Sequence, residues 1–214
     1  MARVPLTVER VIDAAVAVAD RGGLSAVSMR NVGKELGVEA MSLYHHVANK
    51  DALLDALADR VFAQIELPEP DDDWRRGMER RASSARAVLN AHPWALALMD
   101  SRSVPGPALL KHHDAVIGCL RRDCFSNALT ARAFSVIDAY VYGFALIEQN
   151  LPFDSAGDGA VGLAADVSVM LAPYPHMAEF VAEIASPGDY TYAAEFDHGL
   201  AIILDQLAVL RASS

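Results

Sequence analysis

The sequence lacks what a secreted or membrane-spanning scaffold is built from. Its 214 residues include two cysteines, Cys119 and Cys124. That is too few for a disulfide framework, and the four-ligand spacing of a zinc site is missing. Both read as buried or half-buried thiols in a reducing compartment. The longest stretch free of Asp, Glu, Lys and Arg covers 13 residues, Ala87 to Met99, and contains His92 and Pro93. A membrane helix needs about 20 consecutive apolar residues, so no span is expected. The opening MARVPLTVER has no apolar run behind Arg3 and does not read as a secretory leader. A cytoplasmic protein is expected.

Basic charge is also scarce. There are 18 Lys and Arg against 28 Asp and Glu, for a net charge of −10. Residues 1–50 carry +1 and the remainder −11. An acidic body repels polyanions, so any nucleic-acid contact must be local and confined to the head. Disorder is excluded by the 53% of hydrophobic residues. No alternating strand pattern of useful length occurs, and no internal repeat. No nucleophile elbow, phosphate loop or metal cluster supports catalysis.

What is present is helical spacing throughout, which predicts an all-α fold. Thr7 is a good N-cap, with Leu6 able to staple onto Val11. Val8, Val11, Ile12, Ala15 and Ala19 keep the period until Gly22-Gly23. Ser28 caps a second helix ending at Gly37, and a third covers about Ala40 to His46. Asn49 caps a fourth, striped by Leu53, Leu54, Leu57, Val61 and Ile65. Pro68 and Pro70 then break the chain. Helices follow over residues 73–91, from Pro93, from Pro107 to about Arg122, and from Ser126 to Gln149. Residues 151–162 read as a looser stretch. The chain ends in a helix whose Ala193, Phe196, Leu200, Ile203, Leu207 and Leu210 follow a 3-4 seam. Ile202, Leu204 and Val209 give it a second apolar face. One side can face the chain's own core and the other a second subunit; burial inside one large bundle is the alternative.

Three patterns are set against simpler readings. Gly157-x-Gly159-x-x-Gly162 matches a dinucleotide fingerprint, but no strand precedes it, and a linker fits better. Glu195-x-x-His198 lacks the second copy that a carboxylate metal site needs. His112-His113-Asp114 are adjacent on a helix and point about 100° apart, although a ligand contact there stays open.

The sharpest signal runs from Arg30 to Val47, RNVGKELGVEAMSLYHHV. A small residue at Gly33, a turn glycine at Gly37, and apolar Val38 and Leu43 have helix-turn-helix spacing. An ordinary helical hairpin has the same spacing. The polar residues Ser42, Tyr44, His45, His46 and Lys50 favour a phosphate-facing surface instead. Lys50 also opens the fourth helix, whose backbone N–H groups attract an anion.

The segment LGVEAMSLYHHVANKDALLDAL resembles the helix-turn-helix and fourth helix of the tetracycline-repressor (TetR) family of bacterial transcription regulators. Leu36, Gly37, Val38, Leu43, Tyr44, His46, Val47, Asn49, Lys50, Leu53 and Leu54 meet that pattern. The likeness extends over about residues 7–65, and the terminal FDHGLAIILDQL is similar to the family's last helix.

The resemblance implies a helix-turn-helix domain at 1–48 and a ligand-binding and dimerisation domain at 49–214, with residues 49–65 connecting them. It places Arg30, Ala40 and Met41 against base edges, and Ser28, Ser42, Tyr44, His45, His46 and Lys50 on the DNA backbone. Ala40 and Met41 lack a bidentate group, so base readout is left mainly to Arg30 and to contact with thymine methyls. The implied function is a ligand-responsive regulator, a repressor released from an inverted-repeat operator on double-stranded DNA by a small hydrophobic effector. The drug- and magnesium-binding residues of the tetracycline-specific members have no clear counterpart, and no cofactor or metal is expected.

Trp74, Met78, Trp94, Met99, His113, Phe134, Tyr140 and Met170 are the expected effector contacts, although such residues also simply fill cores. A homodimer is expected through Tyr140, Phe144, Phe196, Leu200, Ile203 and Leu207. A helical-bundle enzyme and a protein-interaction module are the rival classes.

Overall fold

The structure, a computed structural model, describes residues 5–99, 105–152, 170–184 and 191–213. Ten α-helices and two short 3-10 turns carry these residues, with no strand among them. None of the described helices is long and apolar enough to cross a membrane.

The head forms where its caps fall. Helix α1 (Val8–Ala26) opens on Thr7, whose hydroxyl accepts from the Arg10 N–H at 3.3 Å. Its Val11, Ala14, Ala15, Val18 and Ala19 are buried at helical spacing. Gly23, at φ 67°, breaks the helical path, and one further turn follows. Helix α2 (Met29–Leu36) is capped by the Ser28 hydroxyl, which accepts from Asn31 N–H at 3.2 Å. Helix α3 (Ala40–Leu43) is shorter than the spacing predicts. The N–H groups of His46 and Val47 both turn back to the Leu43 carbonyl, which pulls Val47 into the core. Asn49 then caps α4 (Lys50–Phe62), accepting from Ala52 N–H at 2.8 Å.

The body comprises α5 (Trp74–Ala91), α6 (Leu96–Met99), α7 (Pro107–Arg122), α8 (Asn127–Gln149), α9 (Pro175–Ile184) and α10 (Glu195–Ala212). Helix α5 packs along α8, α10 lies on α8, and α4 bridges α1 and α7. Helix α7 ends in paired bonds, Phe125 N–H to Leu120 carbonyl and Cys124 N–H to Arg121 carbonyl, with Cys124 at φ 65°. This turn drives Phe125 into the core, 4.9 Å from the Trp74 ring. It also corrects the expectation that both thiols are buried or half-buried. Cys119 is buried in α7, but Cys124 lies past the helix end and is exposed.

Two polar ties cross the apolar body. Arg86 bonds both oxygens of Glu148 (2.8 and 2.5 Å) and the Ala193 carbonyl, linking α5, α8 and the start of α10. The Tyr140 hydroxyl donates to the Glu195 and Phe196 carbonyls at 3.1 and 2.9 Å. Burial pushes that phenol up to about 12, so it stays protonated and bonded. Head and body meet at Asp20 of α1, whose carboxylate lies 2.7 Å from His92 Nδ1 and 2.6 Å from Trp94 Nε1.

Candidate nucleic-acid interface

The turn between α2 and α3 explains its glycines. Gly37 sits at φ 66°, the left-handed conformation that ends α2, with Val38 N–H bonded to the Gly33 carbonyl at 2.9 Å. A methyl group on Gly33 would lie 2.9 Å from the Val38 carbonyl oxygen and 3.2 Å from Ala40 N. Only a glycine allows that approach of the two helices. Val32 and Leu43, fully buried, fill the space between the helices.

With Val32 and Leu43 turned inward, the opposite face is left to solvent. Met41 is 73% exposed and Tyr44 46%. Arg30, His45 and Lys50 are exposed, while Ser28, Ala40, Ser42 and His46 are half-buried. Ser28 spends its acceptor on the α2 cap, which leaves its hydroxyl proton free to be donated. Ser42, His45 and His46 also line a surface cleft with Pro5, Leu6, Arg10, Leu36 and Val38. The nine head residues singled out from the sequence therefore lie along α2, α3 and the start of α4, with apolar Met41 held out in solvent among them.

The body does not gather the expected effector residues. Trp74 and Met78 are core residues, Trp94 closes the joint with Asp20, and Tyr140 holds α10. Met170 is 72% exposed. The Met99 side chain lies outside the described residues, as does the glycine pattern at 157–162. His113 and Phe134 do come together, edge to face at 4.8 Å. They line an open cleft of about 360 Å³ with Ile117, Asn127, Thr130, Ala131 and Ser135.

Behind this cleft sits a polar cluster that the apolar stripes hid. Arg81 of α5 is 2% exposed, and its guanidinium lies 5.5 Å from the Phe134 ring centre. It pairs with Asp138 of α8, and its Nε donates to His112 Nε2 at 3.0 Å. Since arginine only donates, His112 Nε2 must be the bare nitrogen and Nδ1 carries the proton. Burial, then the charge of Arg81, pushes the His112 imidazole down to about 3 and keeps it neutral. His113 is lowered as well, chiefly by burial. Arg81 was findable, because it falls three residues after Met78 on the buried stripe of α5. A charge there signals a partner across the helix.

Four of the six residues expected at a dimer seam are used within the chain's own core. Phe144, Phe196, Leu200 and Leu207 are buried within the chain, with Leu204 beside them. Of the six expected interface residues, only Tyr140 and Ile203 keep partial exposure. The open apolar residues are instead Val136, Leu146 and Ile147 on α8 and Ile202, Val209 and Leu210 on α10. Glu195 and His198 stand 3.9 Å apart at the surface of α10.

A three-helix head that presents the second helix of a helix-turn-helix, joined by α4 to an all-helical body, defines a DNA-binding regulator. Comparison with known proteins identifies which kind. Residues 11–57 match the family profile of bacterial regulatory proteins, tetR family, and residues 67–211 the tetracyclin repressor-like C-terminal domain. The chain is 35% identical to the HTH-type transcriptional repressor DrrR1 of Streptomyces coeruleorubidus, over 97% of this chain and 79% of that one. It is 32% identical to the Escherichia coli tetracycline repressor protein class A from transposon 1721, over 94% and 90%. Among solved structures, Streptomyces coelicolor ActR in complex with actinorhodin superposes with a TM-score of 0.77 at 28% identity, over 97% and 99%. The chain belongs to the tetR family of bacterial transcription regulators. It is a DNA-binding transcriptional regulator.

Proposed function

We propose that the chain is a cytoplasmic, homodimeric repressor that leaves an inverted-repeat operator when a small molecule fills the cleft at His113 and Phe134. Residues 1–48 are the reading head, and 49–214 the sensing and pairing body, with α4 joining them. Arg30 reads a base edge, Ala40 and Met41 meet thymine methyls, and Ser28, Ser42, Tyr44, His45, His46 and Lys50 hold phosphates. The observation that carries the reading is the Gly33–Gly37 turn, which seats α3 on α2 while leaving Met41, Tyr44 and Arg30 outward.

Release by a ligand is supported by ActR, solved in complex with actinorhodin, and by the cleft in this chain's own body. Pairing is supported by the open apolar residues of α8 and α10, which suit a four-helix bundle across a two-fold axis. The chain acts by binding rather than by turnover.

Fluorescence anisotropy on DNA tiled across the chain's own upstream region tests the reading. Saturable binding to one inverted repeat, with steep salt dependence, is expected. Equal, weak binding to every tile would refute it.

A further inference from the structure

The head carries a second feature beside its turn. In a chain of net charge −10, its cleft of about 490 Å³ is lined by Arg10, Ser42, His45 and His46 and by no Asp or Glu. Leu6 and Val38 are among its apolar walls, so the segment before α1, α1 itself, the turn and α3 all contribute. The Arg10 guanidinium is tied to one wall by donating to the Pro5 carbonyl at 2.6 Å. Neither imidazole has a hydrogen-bond or ionic partner among the described residues, and His45 is exposed. Ser42, His45 and His46 also stand among the nine residues of the DNA face.

The carboxylates of the neighbouring elements are engaged elsewhere or lie outside the lining. Asp13 of α1 pairs with Arg60, and Glu35 of α2 with Arg21. Glu9 is bonded to its own backbone N–H and to the Thr7 hydroxyl, which holds its carboxyl below the usual carboxylate range. Glu39, at the N-cap of α3, is exposed and lines no part of the cleft, as is true of Lys34 on α2 and of Lys50 and Asp51 on α4. Arg10 therefore gives the cleft a fixed positive charge, and the imidazoles add one that depends on pH between about 5 and 8.

We propose that this cleft seats a phosphate of the operator backbone between Arg10 and the two imidazoles, and that operator binding takes up protons. The seat presupposes that the head is the DNA-binding face; it brings α1 into the interface and makes operator affinity depend on pH. A phosphate offers only acceptors and a negative charge, so it favours the charged imidazole, which donates from both nitrogens. Linkage is reciprocal, and proton uptake must therefore appear as tighter binding at lower pH. The Arg10 contact does not titrate and appears in the salt dependence instead.

Anisotropy tests it on the full-length protein and the DNA tile that it binds, at about pH 6, 7 and 8 and one ionic strength. Wild type should bind at least about fivefold more tightly at the lowest pH than at the highest. His45→Gln with His46→Gln should flatten that dependence to about twofold or less. His45→Gln alone, at an exposed site, should remove about half of it on a logarithmic scale and serves where the double variant does not fold. Arg10→Gln should weaken binding at every pH and lower the salt slope by about one, and Arg10→Lys, which keeps the charge, should restore the slope. Affinity indifferent to pH, a pH dependence that survives in the histidine variants, or a salt slope unchanged in Arg10→Gln would each overturn the seat while leaving the head a DNA-binding one. Binding to no tile, or equal weak binding to all of them, would instead refute operator recognition by the head.

Discussion

The carboxylate of Asp59, near the end of α4, caps the first turn of α7 by accepting from the Ala108 N–H at 2.9 Å; Leu109 N–H reaches the same oxygen at 3.2 Å. Gly106 sits where α7 lacks a side-chain cap of its own, and any Cβ there would overlap Asp59. The contact joins α4 to α7. Helix α4 starts at Lys50 beside the DNA face, and α7 carries His112 and His113 one turn beyond the cap. A shift of α7 by an occupant of the cleft therefore reaches α4 through a fixed hydrogen-bonded joint.

Asp59→Ala should remove the cap and destabilise the protein by about 0.5–2 kcal/mol. Hydrogen exchange at the Ala108 and Leu109 amides should quicken, while the amides of α2 keep their protection. Asp59→Asn, which retains an acceptor oxygen, should recover part of the loss. Unchanged exchange at those two amides in Asp59→Ala would remove the joint from the argument.

Substitutions at Arg30 and Lys50 test the separation of base reading from phosphate holding. Arg30→Ala should weaken operator binding by about 1–3 kcal/mol and relax preference at one base position. Lys50→Ala should weaken binding to all sequences alike and lower the salt slope by about one. Anisotropy at several salt concentrations reads both. Wild-type affinity in Arg30→Ala would show that the exposed guanidinium reads no base.

Gly33→Ala tests the close approach of α2 and α3. Its methyl would meet the Val38 carbonyl oxygen and the Ala40 backbone, neither of which can swing aside. Overpacking of this kind costs about 1–3 kcal/mol, and the strain falls on the start of α3. DNA binding should be lost while the body keeps its association state in sedimentation. Gly118→Ala is the control, since the nearest atom to its methyl is the flexible end of Arg122 at 3.6 Å.

Folding keeps His112 neutral down to about pH 3, whereas in the unfolded chain it titrates near 6.5. Between those values the unfolded chain binds a proton that the folded one refuses. The stability due to this group is complete above about 6.5 and falls as pH drops toward 3, by up to about 1.4 kcal/mol per unit. His112→Gln, which can still accept from Arg81, should lose less stability than wild type when denaturant midpoints are compared from neutral pH down to about pH 4. Parallel curves for the two proteins would locate the acid sensitivity elsewhere.

The head was legible because its signals are local. Caps at Thr7, Ser28 and Asn49, the glycines 33 and 37 and the buried Leu43 each act within a few residues, and all hold in the structure. The body was legible as helices but not as surfaces. Helix α10 is apolar on two sides, and spacing says that both need covering without saying by what. The seam through Phe196, Leu200 and Leu207 proved to be the chain's own core, with Leu204 rather than Ile203 completing it. Large apolar residues such as Trp74 and Met78 marked the core for the same reason. Arg81 lies on the buried stripe of α5 and so calls for a partner, but that the partner is Asp138, 57 positions along the chain, has no local signal.

That reassignment yields a discriminating test of the dimer. Ile202 is 71% exposed on α10 and Leu146 53% on α8, whereas Leu200 is 2% exposed. Glutamate at an exposed site costs a monomer little, but in an interface core it buries an unpaired charge on both partners of a two-fold pair. Ile202→Glu with Leu146→Glu should thus give a folded monomer, with helical content and body packing retained. Its operator affinity should collapse, because two half-sites about one helical turn apart are no longer held together. Leu200→Glu should behave differently, since it places the charge inside the chain's own core against Phe196 and Leu204 and unfolds the body outright. Sedimentation and circular dichroism on the same samples separate these outcomes. If the double variant stays dimeric, α8 and α10 do not pair through these residues, and another surface must hold the two heads in register.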